Sequence, residues 1–484
     1  MRFLAWLLAA ALAFTPRAFA QSQPLPDLGD SGASELPPAT ERRIGESIMR
    51  DIRARDPAFL DDPEIADYLN SLGARLASSA PGARADFEFF PLRDSTVNAF
   101  ALPGGFIGVH TGLISASDNE SEVASVLAHE MAHVTQRHIA RQLGLQKQMQ
   151  LPMMIATAAA ILFARSRPDL AQGAAIASHG AAIQTQLAFN RDFEREADRL
   201  GFQTLAGAGF DVRAMSTFFE KMQRHARAFD DGKVPGYLRT HPVTTERISD
   251  AETRSLTLPY RQHADSIEYH LVRAKVRAEA PDPHDAVRIF GDAVKDRRFA
   301  SEPGARYGLA IALLRAQDPK GAEAEVARLR AASVASPMVD ILAARARSGQ
   351  GDHAGALGVL KAAYARYPQR RPVLYATLDT LQAMNQPEQV IATLAEPLRI
   401  YPRDAKLHEA RAKAYASLGK RLLQHQAQAE VYLLRGSIVA AIEQLQLAQS
   451  AGDGNFYELS AVDARLKELR AEHAREMADQ RRPK

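Results

Sequence analysis

The run Ser117-Asp118-Asn119-Glu120-Ser121-Glu122-Val123-Ala124-Ser125-Val126-Leu127-Ala128-His129-Glu130-Met131-Ala132-His133 reads as one long helix that ends in His-Glu-x-x-His. Ser117 is placed to cap it, with Glu120 reaching back three residues later. Side chains four apart lie one above the other on a helix, so His129 and His133 can grip one cation. Glu130 sits about 100° further round the helix, beside the cation's open position, where a general base belongs.

A catalytic zinc takes a third protein ligand and keeps one position for water. The chain has no cysteine, so that ligand must be a histidine or a carboxylate. The best candidate is Glu194. Along Phe193-Glu194-Arg195-Glu196-Ala197-Asp198, Glu194 and Asp198 share a helix face while Glu196 points about 200° away. Asp198 is then expected to hold the second nitrogen of a ligating histidine and fix its tautomer. Alone, this cluster would read as a solvated acidic face paired with Arg191, Arg195 and Arg199; the upstream motif reverses that preference.

Working outward, amphipathic helices are expected at 41–55 and 63–79. Strands are expected at 87–92 and 97–114, the second broken by Pro103-Gly104-Gly105. Further helices run to about residue 255, which gives the first half an α+β character. Beyond residue 271 the pattern is helical throughout. Turn-like positions recur at Gln317, Gly351, Asn385 and Gly419, each 34 residues after the last, and Tyr367-Pro368 and Tyr401-Pro402 repeat at the same interval. That is the period of tetratricopeptide units, helix pairs that stack into a solenoid. After Gly419 the phase slips, since Arg435-Gly436 follows too soon; atypical capping units and a solvated closing helix at 465–484 are expected. The fold expected is therefore α+β and mostly helical, with a zincin-type metallopeptidase domain at 39–262 and an all-α tetratricopeptide solenoid at 263–484.

Length and composition agree. At 484 residues, 46% hydrophobic and 24% charged, the chain is long enough for two cores and too apolar for general disorder. Lys and Arg exceed Asp and Glu by only 60 to 57 and are not gathered into a stripe, which argues against nucleic acid as a partner. Residues 1–20 read as a secretory signal, with Arg2, an apolar core and Ala18-Phe19-Ala20, so cleavage is expected after Ala20. Residues 21–38 read as a flexible leader. The apolar run at 151–164 is too short to span a bilayer and leaves three readings open: a lid, a peripheral membrane contact or a core helix.

His241 and Arg247 lie six residues apart around a helix start at Thr244 and are the available donors for the oxyanion of a tetrahedral intermediate. His241 has a second reading, as a neutral imidazole in the cation's fourth position that displaces water and keeps the site latent. A third is a histidine that merely caps a helix or lies on the surface.

His-Glu-x-x-His, the later Glu194-x-x-x-Asp198 and the His241-Pro242 step together resemble the gluzincin metallopeptidases of the group that includes heat-shock membrane protease X and the prenyl-protein proteases. Taken with the export signal and the repeats, the resemblance covers nearly the whole mature chain. It implies one Zn2+ per chain, endopeptidase activity in the periplasm, and quality control of outer-membrane proteins during assembly. Unfolded or misassembled outer-membrane proteins and the barrel-assembly machinery would then be partners of the repeats. Asn98-Ala99-Phe100-Ala101 is similar to the group's substrate-side edge strand, to which an extended client adds through backbone hydrogen bonds; a plain buried hairpin competes with that reading. Two functions are thus expected: an endopeptidase acting on stalled or misfolded envelope proteins, or a tetratricopeptide adaptor with a mostly latent peptidase site.

Overall fold

The computed structural model describes residues 36–82, 86–145, 191–228, 236–259 and 261–481. The expected signal, nearly all of the leader and the apolar run at 151–164 lie outside the described residues.

The first half begins with α1 (Pro38–Arg55) and α2 (Pro63–Ala77). The Asp62 carboxylate accepts from the backbone N–H groups of Glu64 and Ile65 and so caps α2, with Pro63 in the first turn. Ile65, Leu69, Leu72 and Leu76 then recur on one face and are buried, each contributing about 1.5–3 kcal/mol. Strands β1 (Glu88–Leu92), β2 (Ala99–Leu102) and β3 (Phe106–His110) form a sheet in the order β1-β3-β2. β1 runs parallel and β2 antiparallel to β3, which leaves β2 an edge strand among the described residues. The turn from β2 to β3 needs its glycines: Gly104 and Gly105 have φ of +77° and +92°.

Two expectations about this region are corrected. The strand expected at 97–114 stops at His110, and Thr111–Ala116 is a short helix, α3. Thr111 Oγ1 and Gly112 N both donate to Asp94 O, which turns the chain out of the sheet. The cap of the next helix, α4 (Glu120–Thr135), is Asn119, whose side chain accepts from Glu122 N at 3.0 Å. Ser117 instead closes α3 by donating to Leu113 O. Asn119-x-x-Glu122 fits the same cap pattern two residues later, and the presence of α3 decides between the two.

After α4 come α5 (His138–Leu145), α6 (Arg191–Gly207), α7 (Arg213–Ala228), α8 (Gly236–Thr240) and α9 (Thr245–Leu256). Among these α6 packs most closely on α4. Gly201 makes that approach possible, since a Cβ there would lie 3.1 Å from His129 N and 3.2 Å from its Cα. α4 is buried along nearly its whole length, so its histidines face protein on every side.

The second half consists of consecutive helix pairs: α10 (Ile267–Ala278), α11 (Pro283–Lys295), α12 (Glu302–Arg315), α13 (Pro319–Ala331), α14 (Pro337–Gly349), α15 (His353–Arg366), α16 (Arg371–Ala383), α17 (Pro387–Ile400), α18 (Ala405–Ser417), α19 (Arg421–Leu434), α20 (Ile438–Gln449) and α21 (Phe456–Arg481). The four periodic turn positions all adopt the left-handed conformation, with φ of 61° at Gln317, 82° at Gly351, 52° at Asn385 and 69° at Gly419. The closing helix is less solvated than expected: Leu466 and Leu469 are buried in the last core cluster, and Arg465 pairs with Glu430.

The two halves are joined without a gap. One core cluster runs from Leu60 through Val126 and Phe218 to Tyr269, Tyr307 and Ala346, across the expected boundary at 262. Successive repeats also reach the acidic start of α2. Lys275 from α10 pairs with Asp62 and Glu64, and Arg345 from α14 with Glu64. Arg370, just before α16, pairs with Asp67, and Lys406 from α18 with Asp61.

Candidate metal centre

α4 and α6 cross where Gly201 lets them touch, which brings Glu194 against the histidines one turn apart on α4. His129 Nε2 lies 3.0 Å from His133 Nε2 and 3.5 Å from Glu194 Oε2, and His133 Nε2 lies 3.4 Å from Glu194 Oε1. His241, at the end of α8, occupies the remaining corner. Its Nδ1 is 3.1 Å from Glu194 Oε1 and 3.3 Å from His129 Nε2. One atom from each of the four residues lies within 4.8 Å of all the others, and all four residues are buried.

These separations fit a tetrahedral cation. With bonds of about 2.0 Å, the ligand atoms of a tetrahedral zinc stand roughly 3.3 Å apart; five separations here, with Glu194 offering Oε1 to His133 and His241 and Oε2 to His129, run from 3.0 to 3.5 Å. Three imidazoles and a carboxylate make a donor set suited to zinc rather than to magnesium or calcium.

Glu130 is fully buried beside this cluster, 3.3 Å from His241 Nε2. Among the described residues neither carboxylate oxygen has a hydrogen bond of good geometry. Burial pushes its carboxyl above the usual range, while His241 and His129 pull the other way. Burial also works against Glu194, but His241 and the contacts from His129 and His133 hold its carboxyl well below that range. His133 is driven well below the ordinary histidine value by burial, against the pull of Glu194.

A second ring surrounds the four. His129 Nδ1 lies 2.9 Å from Asp198 Oδ1, a close ion-pair contact off the ideal hydrogen-bond line. Arg247 Nε and one terminal nitrogen donate to Asp198 at 2.6 and 2.8 Å. Its other terminal nitrogen donates to Pro242 O at 2.8 Å and faces Glu194 Oε2 at 2.9 Å. All three nitrogens of Arg247 are thus held by the site's own acceptors, which is not the disposition expected of an oxyanion donor. Thr244 caps α9 as expected and so aims Arg247 inward.

Asn98 precedes β2 and is buried. His110 N donates to its carbonyl, so in the antiparallel alternation Phe100 and Leu102 bond to β3 while the backbone groups of Ala99 and Ala101 turn outward. The Ala101 amide exerts a lowering pull on Glu130, which places this edge beside the site.

Sequence reading missed two residues. Tyr237 stacks on His241 with ring centroids 4.9 Å apart, and its buried hydroxyl has no hydrogen-bond partner among the described residues. His138 lies against His133, with the two Nδ1 atoms 2.8 Å apart. Glu196 turns away from Glu194 as expected, yet its Oε2 lies 3.3 Å from His138 Nε2.

Comparison with known proteins agrees with this geometry. The family model described as Peptidase family M48 matches residues 63–255, and one described as Tetratricopeptide repeat matches residues 348–414. The Beta-barrel assembly-enhancing protease of Escherichia coli (strain K12) is 31% identical over 458 residues, 94% of this chain and 93% of that protein. A Vibrio cholerae relative is 38% identical over 301 residues, which is 61% of this chain and a little under two thirds (62%) of the relative. The Mitochondrial metalloendopeptidase OMA1 of Arabidopsis thaliana is 31% identical over 224 residues, 45% of this chain and 41% of that protein. With one such relative matched nearly end to end, and with both zinc-type motifs inside the span of the family model, the chain is a metallopeptidase of peptidase family M48, followed by tetratricopeptide repeats.

Proposed function

We propose that this chain is an exported zinc endopeptidase that cleaves stalled or misfolded outer-membrane proteins and is brought to them by its repeats. The observation that carries this reading is the convergence of His129, His133 and Glu194 on one buried point, with Glu130 beside it. The export signal at 1–20, with cleavage after Ala20, and the names of the relatives support a periplasmic setting. The peptidase domain is assigned to 39–262 and the repeats to 263–484.

His129, His133 and Glu194 would hold one zinc per chain. When bound, the metal supplies a Lewis acid that polarises the scissile carbonyl and acidifies water. Glu130 takes the proton of the attacking water and delivers it to the leaving amine, a role its burial beside His241 and the ligand cluster supports. Asp198 orients His129, and Arg247 anchors both Asp198 and Glu194. An extended client pairs with the outward backbone groups of Ala99 and Ala101, with Asn98 and Phe100 fixing the strand that offers them.

His241 fills the fourth corner and so stands where water and substrate must enter. This favours its reading as a latch over that of oxyanion donor and supports the second function, an assembly adaptor whose peptidase site is mostly closed. Purified protein incubated with an unfolded outer-membrane barrel should give fragments that disappear with chelator and return with zinc. His241→Ala should change the rate; if it neither raises nor lowers cleavage, both roles given to His241 fail. If neither parent nor variant yields metal-dependent fragments, the endopeptidase reading falls. Glu130→Gln should abolish cleavage while adaptor function survives.

A further inference from the structure

His133 and His129 present their Nε2 atoms to the common point, so each turns its Nδ1 away from it. Behind His129 stands a carboxylate, Asp198. Behind His133 stands another imidazole: His138 Nδ1 lies 2.8 Å from His133 Nδ1. The far nitrogen of His138 lies 3.3 Å from Glu196 Oε2, which also accepts from Arg141 at 2.8 Å. The His138 ring is stacked on Phe193 at 4.5 Å, tilted by only 14°, and is buried.

We propose that His138 is a positioning residue for the metal, fixing the tautomer and ring plane of His133 as Asp198 fixes those of His129. The inference rests on the reading of His129, His133 and Glu194 as metal ligands. The proton assignments follow in one direction. A His133 that offers its Nε2 lone pair must carry its proton on Nδ1. That N–H points at His138 Nδ1, which must accept and therefore carries its own proton on Nε2. The Nε2–H in turn donates to Glu196, whose carboxylate is held in place by Arg141. Every donor in the chain meets an acceptor.

A neutral imidazole behind His133 also differs in effect from the carboxylate behind His129. It orients the ligand without adding another negative charge to a centre that already has Glu194, Glu130 and Asp198 around it. Helical spacing alone would not bring His138 here. Five residues along a helix is about 140° from His133, and the contact exists because Arg137, with φ of 53°, breaks the helix between α4 and α5 and folds His138 back.

The test uses full-length protein stripped of metal, then titrated with Zn2+ against a chromophoric chelator and, separately, loaded with Co2+ for its visible spectrum. His138→Phe keeps the stack on Phe193 but has no acceptor, and should weaken Zn2+ binding about 10–100-fold, as loss of an outer partner of a ligating histidine does. It should also shift the Co2+ absorption bands. His138→Asn places an oxygen where Nδ1 was and should recover most of the affinity and the parent spectrum. Glu196→Ala, at the partly exposed end of the chain, should shift the spectrum in the same direction as His138→Phe by a smaller amount, and serves if His138→Phe fails to fold. Parent affinity and parent spectrum in His138→Phe or, should it not fold, an unshifted spectrum in Glu196→Ala, would overturn the proposal. So would equal weakening in the Phe and Asn variants, which would make His138 a packing residue. If the parent protein itself takes up neither Zn2+ nor Co2+, the ligand reading fails and this inference with it.

Discussion

Asp198 and Arg247 form a buried, doubly hydrogen-bonded ion pair beside the metal cluster. Burial alone would raise the Asp198 carboxyl, yet Arg247 and His129 hold it below its usual range. Asp198→Asn keeps the shape and removes the charge, which leaves Arg247 with only Glu194 as a carboxylate partner among the described residues. Breaking a buried pair in this way should cost about 3–5 kcal/mol, read from urea unfolding. Zinc affinity should drop with it, because His129 loses its anchor. Four site residues were legible because one helical period places His129 over His133 and Glu194 over Asp198. His138 and Tyr237 were not, because their positions depend on a helix break and on the packing of a short helix, neither of which spacing encodes. Arg247 was read from the sequence as a donor for the oxyanion, and its buried acceptors, Asp198, Glu194 and Pro242 O, point instead to an anchoring role that spacing does not encode.

Secondary-structure elements set the accuracy of the site through a single close contact. Gly201→Val adds branched bulk where even a Cβ sits 3.1 Å from the His129 backbone. It should separate α6 from α4 and lower zinc affinity without touching a ligand, as chelator competition would register. On the edge strand, Ala101→Pro removes an amide that points away from β3, so the sheet should tolerate it. It should raise KM for an unfolded client while zinc content stays at the parent value. The repeats were legible in detail because left-handed turn residues every 34 positions are a local demand on φ that only glycine, asparagine and a few others meet cheaply. The start of α4 was misplaced because Ser117 and Asn119 both satisfy the local cap pattern, and only the fold of α3 consumes one of them.

For the whole molecule, the junction at α2 distinguishes buried from exposed pairing. Glu64 is 3% exposed and meets Lys275 and Arg345, so Glu64→Ala should destabilise the protein by about 3–5 kcal/mol. Arg370→Ala, on a more exposed pair with Asp67, should cost about 0–1 kcal/mol. Acid should weaken the repeats as well. Burial pushes His408 below its ordinary value of about 6.5, with Arg411 adding to the effect and Pro402 O opposing it. As pH falls below about 6.5 the unfolded chain therefore binds protons that the folded chain resists, and stability declines. The melting temperature should drop between pH 7 and pH 5, and His408→Gln should flatten that drop.

Glu120, in the first turn of the catalytic helix α4, receives the N–H and hydroxyl of Ser266, while its own N–H donates to Asp265. Ser266 is at the same time the cap of α10. One knot of side chains thus finishes both the helix that carries the histidines and the helix that begins the solenoid. No swivel can operate at that point without fraying two helices at once, so any reach the arm has toward a distant client must come from bending further along its length.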